Sequence, residues 1–137
     1  MFNDYFNTEV ATSRLLADYE KHKNLIIAFD FDNTIYNYHN HEEASFEDVK
    51  SLLKECSDLG FTMVLYTCNE DIEKLDYCKE FCKSSGIKID YINESPVMNT
   101  RKPYYNILLD DRAGLQEAYC ILYNVVKTIK DLHKCKQ

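Results

Sequence analysis

Acidic and hydroxyl side chains follow three separate apolar runs of the sequence, each at the point where the run ends. Asp30 and Asp32 follow one run, Asp110 and Asp111 follow another, and Thr67 closes a third. Carboxylates that lie close together repel one another unless a hard dication lies among them, and oxygen ligands of this kind suit Mg²⁺. If the fold brings the runs together, the sequence therefore predicts a magnesium site lined by these side chains.

The apolar runs are predicted to be strands of one parallel sheet. LIIAF, residues 25–29, contains no polar residue, which is typical of a strand buried on both faces. The other predicted strands are residues 61–67, 87–92 and 105–109. The carboxyl ends of parallel strands meet at one edge of a sheet, which is where ligand sites lie in this class of fold.

Apolar residues at helical spacing separate the predicted strands. Such patterns cover residues 46–59, 72–82 and 115–129, and a weaker one covers residues 10–19. The pair Ser45 and Asp48 predicts a capping box before the first of these helices, and Gly60 predicts its end. Alternating strands and helices imply right-handed crossovers and a parallel sheet with helices on both faces.

Length and composition indicate one soluble domain. The chain has 137 residues, of which 45% are hydrophobic and 28% are charged, and it is too short for a core domain with a second folded cap. It has no apolar run of membrane-spanning length and no secretion signal at its start, so we expect a cytoplasmic protein that does not enter a membrane. The net charge of −7 disfavours nucleic acid as a partner.

The six cysteines are predicted to be free thiols. Several occupy apolar positions of the predicted helices, where a thiol in a reducing compartment behaves as a small hydrophobic group. Cys78 and Cys82 are one helical turn apart, but no second pair of cysteines or histidines at ligand spacing accompanies them. We therefore favour packing over metal binding for this pair.

Four motifs in order resemble those of the haloacid dehalogenase (HAD) superfamily. IIAFDFDNTIY is similar to the first motif, Asp-x-Asp-x-Thr after an apolar strand. Thr67 matches the second motif, Lys102 in TRKPYYN the third, and the acidic pair in ILLDDRAG the fourth. The resemblance covers residues 25–114, is closest to a group of small capless bacterial and phage proteins, and implies a three-layer, Rossmann-like core.

The resemblance also implies a role for each matched side chain. Asp30 would be the nucleophile that forms an aspartyl-phosphate, and Asp32 would be the general acid and base. Thr67 and Lys102 would bind the phosphoryl group, with Arg101 as a competitor for the role of the lysine. The implied activity is a phosphomonoesterase that acts on a small phosphorylated substrate, such as a sugar phosphate or nucleotide.

The same resemblance implies a role for each of the predicted Mg²⁺ ligands. The carboxylates of Asp30 and Asp110 and the main-chain carbonyl of Asp32 would hold the ion, and Asp111 would either bind it through water or orient its neighbours. Asn33 stands where the family usually has Gly. We expect the left-handed backbone conformation there, which Gly adopts most easily and Asn next best.

The segment above the predicted site is a flap, residues 35–44, and no cap domain is expected. An open crevice suits either a large substrate or a small one that a second subunit of a homo-oligomer encloses. The tyrosines and histidines of the flap could touch the substrate, but the sequence favours a solvated loop for them.

Three other functions agree less well with the sequence than a phosphatase does. A signalling receiver domain would place the acidic pair early in the chain rather than late. A phosphate-binding or Mg²⁺-binding module with little turnover would be expected to lose some of the motif residues, which are intact. A phosphatase for nucleic-acid ends fits the open crevice but conflicts with the charge.

Overall fold

A four-stranded parallel sheet forms the centre of the protein. The computed structural model describes residues 6–136. The strands lie side by side in the order β3-β2-β1-β4, and their bounds are β1 Ile26–Phe29, β2 Thr62–Leu65, β3 Tyr91–Ile92 and β4 Ile107–Leu109. The register pairs Phe29 with both Leu65 and Leu109, so the chain leaves β1, β2 and β4 at the same edge of the sheet.

Within residues 6–136, four helices are packed around this sheet. They are α1 Thr8–His22, α2 Glu47–Asp58, α3 Ile72–Ser84 and α4 Leu115–Cys135. Along the chain they alternate with the strands, except that β3 leads to β4 without a helix between them. The arrangement is that of an α/β, Rossmann-like three-layer fold with a parallel sheet of four strands, as the sequence predicted.

The core is built from the strands and from buried side chains of the helices. All four residues of β1 are buried, which confirms the interpretation of its continuous apolar run. Leu53 of α2, Cys82 of α3 and Leu122 of α4 belong to the same buried cluster. Complete burial of one such large side chain stabilises the fold by roughly 1.5–3 kcal/mol, so the strand ends rest on a firm support.

The cysteines confirm the prediction of free thiols. All six are unpaired, and Cys56, Cys78 and Cys82 are buried. Burial raises the pKa of Cys56 and of Cys82 to about 12. These thiols therefore stay protonated near neutral pH and pack as small apolar groups.

Two predicted strands are shorter in the structure because polar side chains replace main-chain partners, and one predicted helix cap is absent. β3 has two residues instead of six, since the carboxylate of Asp90 accepts the main-chain N–H of Met63 at 2.8 Å. β4 begins at residue 107 because the side-chain carbonyl of Asn106 accepts the N–H of Ile26 at 2.7 Å. The predicted capping box is wrong: Phe46 is the N-cap of α2 and makes no side-chain capping bond.

Two irregular connections lie beside the carboxyl edge of the sheet. Residues 30–46 join β1 to α2, and residues 93–106 join β3 to β4. Between residues 6 and 136 neither connection contains a helix, which agrees with the expectation of a flap in place of a cap domain. Within the same residues no helix is both long and apolar enough to cross a membrane.

Candidate active site

Three carboxylates meet at the carboxyl edge of the sheet. Oxygen atoms of Asp30, Asp110 and Asp111 all lie within 4.8 Å of one another. The N–H of Asp30 donates to the carbonyl of Leu109 at 2.9 Å, which extends the pairing of β1 with β4 by one residue. This bond holds the first carboxylate beside the acidic pair that follows β4.

A cavity of about 320 Å³ opens above these carboxylates. Asp32, Thr67 and Arg112 line it together with the three clustered carboxylates. Five of the six predicted site residues are thus in one place, although they come from three different strand ends. We call this space the acidic cavity.

The sixth predicted residue, Lys102, does not line the acidic cavity. It is exposed on the irregular segment 93–106, where its main-chain carbonyl accepts the hydroxyl of Thr100 at 2.8 Å. Arg101 is also exposed. The cationic side chain that lines the acidic cavity is Arg112, which the sequence did not single out for this position.

The carboxyl group of Asp30 is electrostatically unusual. Burial, together with the negative charge of Asp110, raises its pKa to about 7, although a hydrogen bond from the N–H of Phe31 acts in the opposite direction. Crowded carboxylates favour the protonated form because a proton relieves their repulsion. A bound dication would relieve the same repulsion.

The hydroxyl of Thr34 links the two acidic strand ends. Thr34 is completely buried, and its Oγ1 accepts the main-chain N–H of Asp111 at 3.1 Å. The same hydroxyl lies 3.3 Å from Oδ2 of Asp30, to which it donates. Thr34 is the threonine of the Asp-x-Asp-x-Thr pattern, and we interpret it as a positioning residue.

Replacing Thr34 by Val, which keeps the shape of the side chain, should lower the stability of the fold by about 1–2 kcal/mol because the N–H of Asp111 loses its partner. Thermal unfolding followed by circular dichroism should show a midpoint about 3–8 °C lower. The matched control is Thr128→Val, since Thr128 is exposed on α4 and bonds only within its own helix. Equal midpoints for the two variants would contradict a positioning role.

A tight turn after β1 brings Asp32 to the acidic cavity. The carbonyl of Phe31 accepts the N–H groups of Ile35 and Tyr36, each at 3.1 Å, and the N–H of Asn33 donates to the carbonyl of Tyr36 at 2.7 Å. Asn33 has a φ of 60°. This confirms the prediction that Asn takes the left-handed conformation here, and it places Asp32 in the wall of the cavity.

A second side chain that the sequence analysis missed fixes the end of β2. The side-chain carbonyl of Asn93 accepts the N–H of Thr67 at 2.8 Å, and the hydroxyl of Thr67 accepts the N–H of Asn69 at 3.2 Å. Asn93 itself has a φ of 55°. An Asn directly after a predicted strand is typical of such a left-handed turn, and this signal could have identified it.

Comparisons with known proteins support the fold but bring no named activity. No protein-family model matches the chain, and no curated protein sequence matches it. A solved structure of a conserved protein from Bacteroides thetaiotaomicron is similar, with a TM-score of 0.58 and 27% sequence identity. The similarity covers 77% of this chain and 91% of that one, so the α/β core described above is shared with a protein of nearly matching extent.

Proposed function

We propose that the protein is a Mg²⁺-dependent phosphomonoesterase of the HAD type, with Asp30 as its nucleophile. The observation that carries the proposal is the convergence of three carboxylates, from two strand ends, in a cavity that Asp32 and Thr67 also line. This set supplies a nucleophile, an acid and base, a hydroxyl and a set of hard oxygen ligands. Few other reactions need all of these groups together.

The donor set fits a hard dication. Asp30, Asp110 and Asp111 supply only oxygen atoms, and these are close enough for one ion to contact all three. The main-chain carbonyl of Asp32 remains the proposed further ligand. Bound Mg²⁺ would supply positive charge beside the nucleophile and the phosphoryl oxygens.

Asp30 and Asp32 would divide the reaction into two balanced steps. In the first, an oxygen of Asp30 forms a bond to phosphorus while the ester P–O bond breaks, and Asp32 gives its proton to the departing oxygen. In the second, Asp32 takes a proton from water, the water oxygen bonds to phosphorus, and the bond to Asp30 breaks to release phosphate. Because the pKa of Asp30 is raised, its carboxyl group tends to hold a proton, and a protonated carboxyl group is a poor nucleophile. Positive charge from a bound dication would replace that proton and leave the carboxylate free to attack.

One of the two candidate cations lies where the phosphoryl group would bind. Arg112 lines the acidic cavity, whereas Lys102 lies outside it on segment 93–106. A positive side chain near the transferring group stabilises the charge that spreads over its oxygens. Thr67, which follows β2 at the same edge of the sheet, would add a hydroxyl donor.

The test of the proposal is hydrolysis of p-nitrophenyl phosphate by the purified protein. We expect turnover with Mg²⁺ and none with EDTA, because the clustered carboxylates need a dication to stay ionised beside an anionic substrate. The same rate in both conditions would refute the metal requirement.

The pH dependence of stability provides a second readout, which does not require turnover. Because the pKa of Asp30 is about 7 in the folded protein and about 3.9 in an unfolded chain, the native state should lose stability as the pH rises from about 4 to 7. Asp30 is only half-buried, so after discounting for solvent screening the loss is about 1–2 kcal/mol. The unfolding midpoints of the metal-free wild type and of Asp30→Asn are measured at about pH 5 and about pH 8. Between these values the wild-type midpoint should fall by about 3–8 °C more than the midpoint of the variant.

Mg²⁺ should restore the stability that the protein loses when Asp30 is ionised. We expect a larger Mg²⁺-induced rise in the unfolding midpoint at about pH 8 than at about pH 5, since at the lower pH the ion must displace a proton. In Asp30→Asn the rise should be small at both values. A wild-type rise that is equal at both values would contradict the proposed metal site.

A further inference from the structure

A second cavity adjoins the acidic cavity and is lined mainly by aromatic rings. Its volume is about 390 Å³, which lies within the range of small-molecule sites. Asp32, Tyr38 and Asn69 line both cavities. The two spaces therefore border on the same three side chains. We call the second space the aromatic cavity.

Three rings of the aromatic cavity pack against one another. Phe31 and Tyr36 are stacked with centroids 5.1 Å apart, and Tyr77 from α3 meets both rings edge-on, at 6.3 Å and 5.6 Å. Phe31 is buried and Tyr36 is half-buried, so they anchor the group. These three rings therefore form one continuous aromatic wall of the cavity.

Two of the rings are much more exposed than packing requires. Tyr38 is 63% exposed and Tyr77 is 52% exposed, and both line the aromatic cavity. Aromatic faces that remain open beside a polar site are suited to stacking against a flat ligand, which removes them from water. The side chains of Asn69, Glu73 and Lys74 complete the lining with polar groups.

We infer that the aromatic cavity receives the leaving group of the phosphate ester, and that this group carries a planar aromatic ring. The inference rests on the proposed function and adds its substrate class. Asp32, the proposed acid, lies in the wall that both cavities share, which is where the bridging ester oxygen of such a substrate belongs. Phosphate would then lie beside Asp30, and the ring would lie beside Tyr77 and Tyr38.

Two matched pairs of substrates test the inference. Benzyl phosphate and cyclohexylmethyl phosphate have alcohol leaving groups of similar size, but only the first is aromatic. Adenosine 5′-monophosphate and ribose 5-phosphate differ in the base. We expect the aromatic member of at least one pair to have a kcat/KM about tenfold higher, as expected for ring stacking, and the pair that shows the larger difference identifies the source of the ring. Equal values within both pairs would overturn the inference.

A variant of Tyr77 tests whether the preference for aromatic substrates arises in the aromatic cavity. Tyr77→Leu should lower kcat/KM for the preferred aromatic substrate about tenfold and leave its non-aromatic counterpart unchanged. The matched control is Tyr123→Leu, since Tyr123 is 45% exposed on α4 and lines neither cavity. An equal loss for both members of a pair would mean that Tyr77 supports the fold rather than the substrate, and would overturn the inference.

Binding separates this inference from the proposed function. The affinity of the Asp30→Asn variant for benzyl phosphate and cyclohexylmethyl phosphate, and for the nucleotide pair, can be measured by calorimetry with Mg²⁺ present. Tighter binding of an aromatic member supports the aromatic cavity even if the wild type hydrolyses none of the four compounds, a result that would refute only the phosphatase. Equal affinity within both pairs overturns the aromatic cavity, whatever the turnover.

Discussion

Asp30→Asn should abolish Mg²⁺-dependent hydrolysis of p-nitrophenyl phosphate, with a loss of at least about 10³-fold in kcat. An amide nitrogen or oxygen cannot replace the carboxylate oxygen that bonds to phosphorus, so the covalent step has no substitute. The fold should persist, because Asn keeps the size of the side chain and the N–H of residue 30 still pairs with Leu109. Steady-state kinetics and circular dichroism measure the two effects separately.

The matched control for this variant is Asp131→Asn. Asp131 is exposed on α4 and does not line the acidic cavity, and its replacement should leave kcat unchanged. Retention of most of the activity in Asp30→Asn would contradict the assignment of Asp30 as the nucleophile. A wild type that shows the Mg²⁺-dependent rise in unfolding midpoint but no turnover would instead favour a binding module.

Asp32→Asn should have an effect that depends on the leaving group. For an alcohol leaving group such as that of benzyl phosphate, loss of the general acid should reduce kcat/KM by about 10²–10⁴-fold. For p-nitrophenyl phosphate the loss should be much smaller, since nitrophenolate is stable enough to depart without a proton. The comparison uses kcat/KM because this quantity reports the first chemical step and is not affected by slow hydrolysis of the aspartyl-phosphate.

The leaving-group comparison carries its own control. A structural defect in the site would lower kcat/KM for both substrates by a similar factor, as expected for the positioning variant Thr34→Val. Equal losses of kcat/KM for the two substrates in Asp32→Asn would therefore contradict the role of Asp32 as the general acid. A selective loss would also support the position of Asp32 between phosphate and leaving group.

The predictable part of the site is the part that depends on strand ends. The apolar run before Asp30 and the run before Asp110 form the neighbouring strands β1 and β4, and their register brings the acidic residues to one edge. Asn33 was also predictable, because a left-handed turn after the strand narrows the choice of residue to Gly or Asn. These features are determined locally, within a few residues of each strand.

The parts that the sequence did not predict depend on contacts between distant segments. Asn93 supports Thr67 from another connection, and Lys102 lies outside the acidic cavity although its motif precedes the correct strand. The flap tyrosines were interpreted as a solvated loop, since nothing in the flap shows that Tyr77 of α3 completes an aromatic wall with Tyr36. Periodicity identifies elements but does not show which side chains of separate elements will share a cavity.

The polar side chains that shorten the edge strands also affect how copies of the protein can meet. β3 and β4 are the two edges of the sheet and contain only two and three residues, and Asp90 and Asn106 already bond to neighbouring main-chain groups where longer strands would begin. Short, polar edges offer little template for another strand, which protects a sheet against growth by aggregation. We therefore expect any homo-oligomer of this protein to form through helices or loops and not through a continuous sheet.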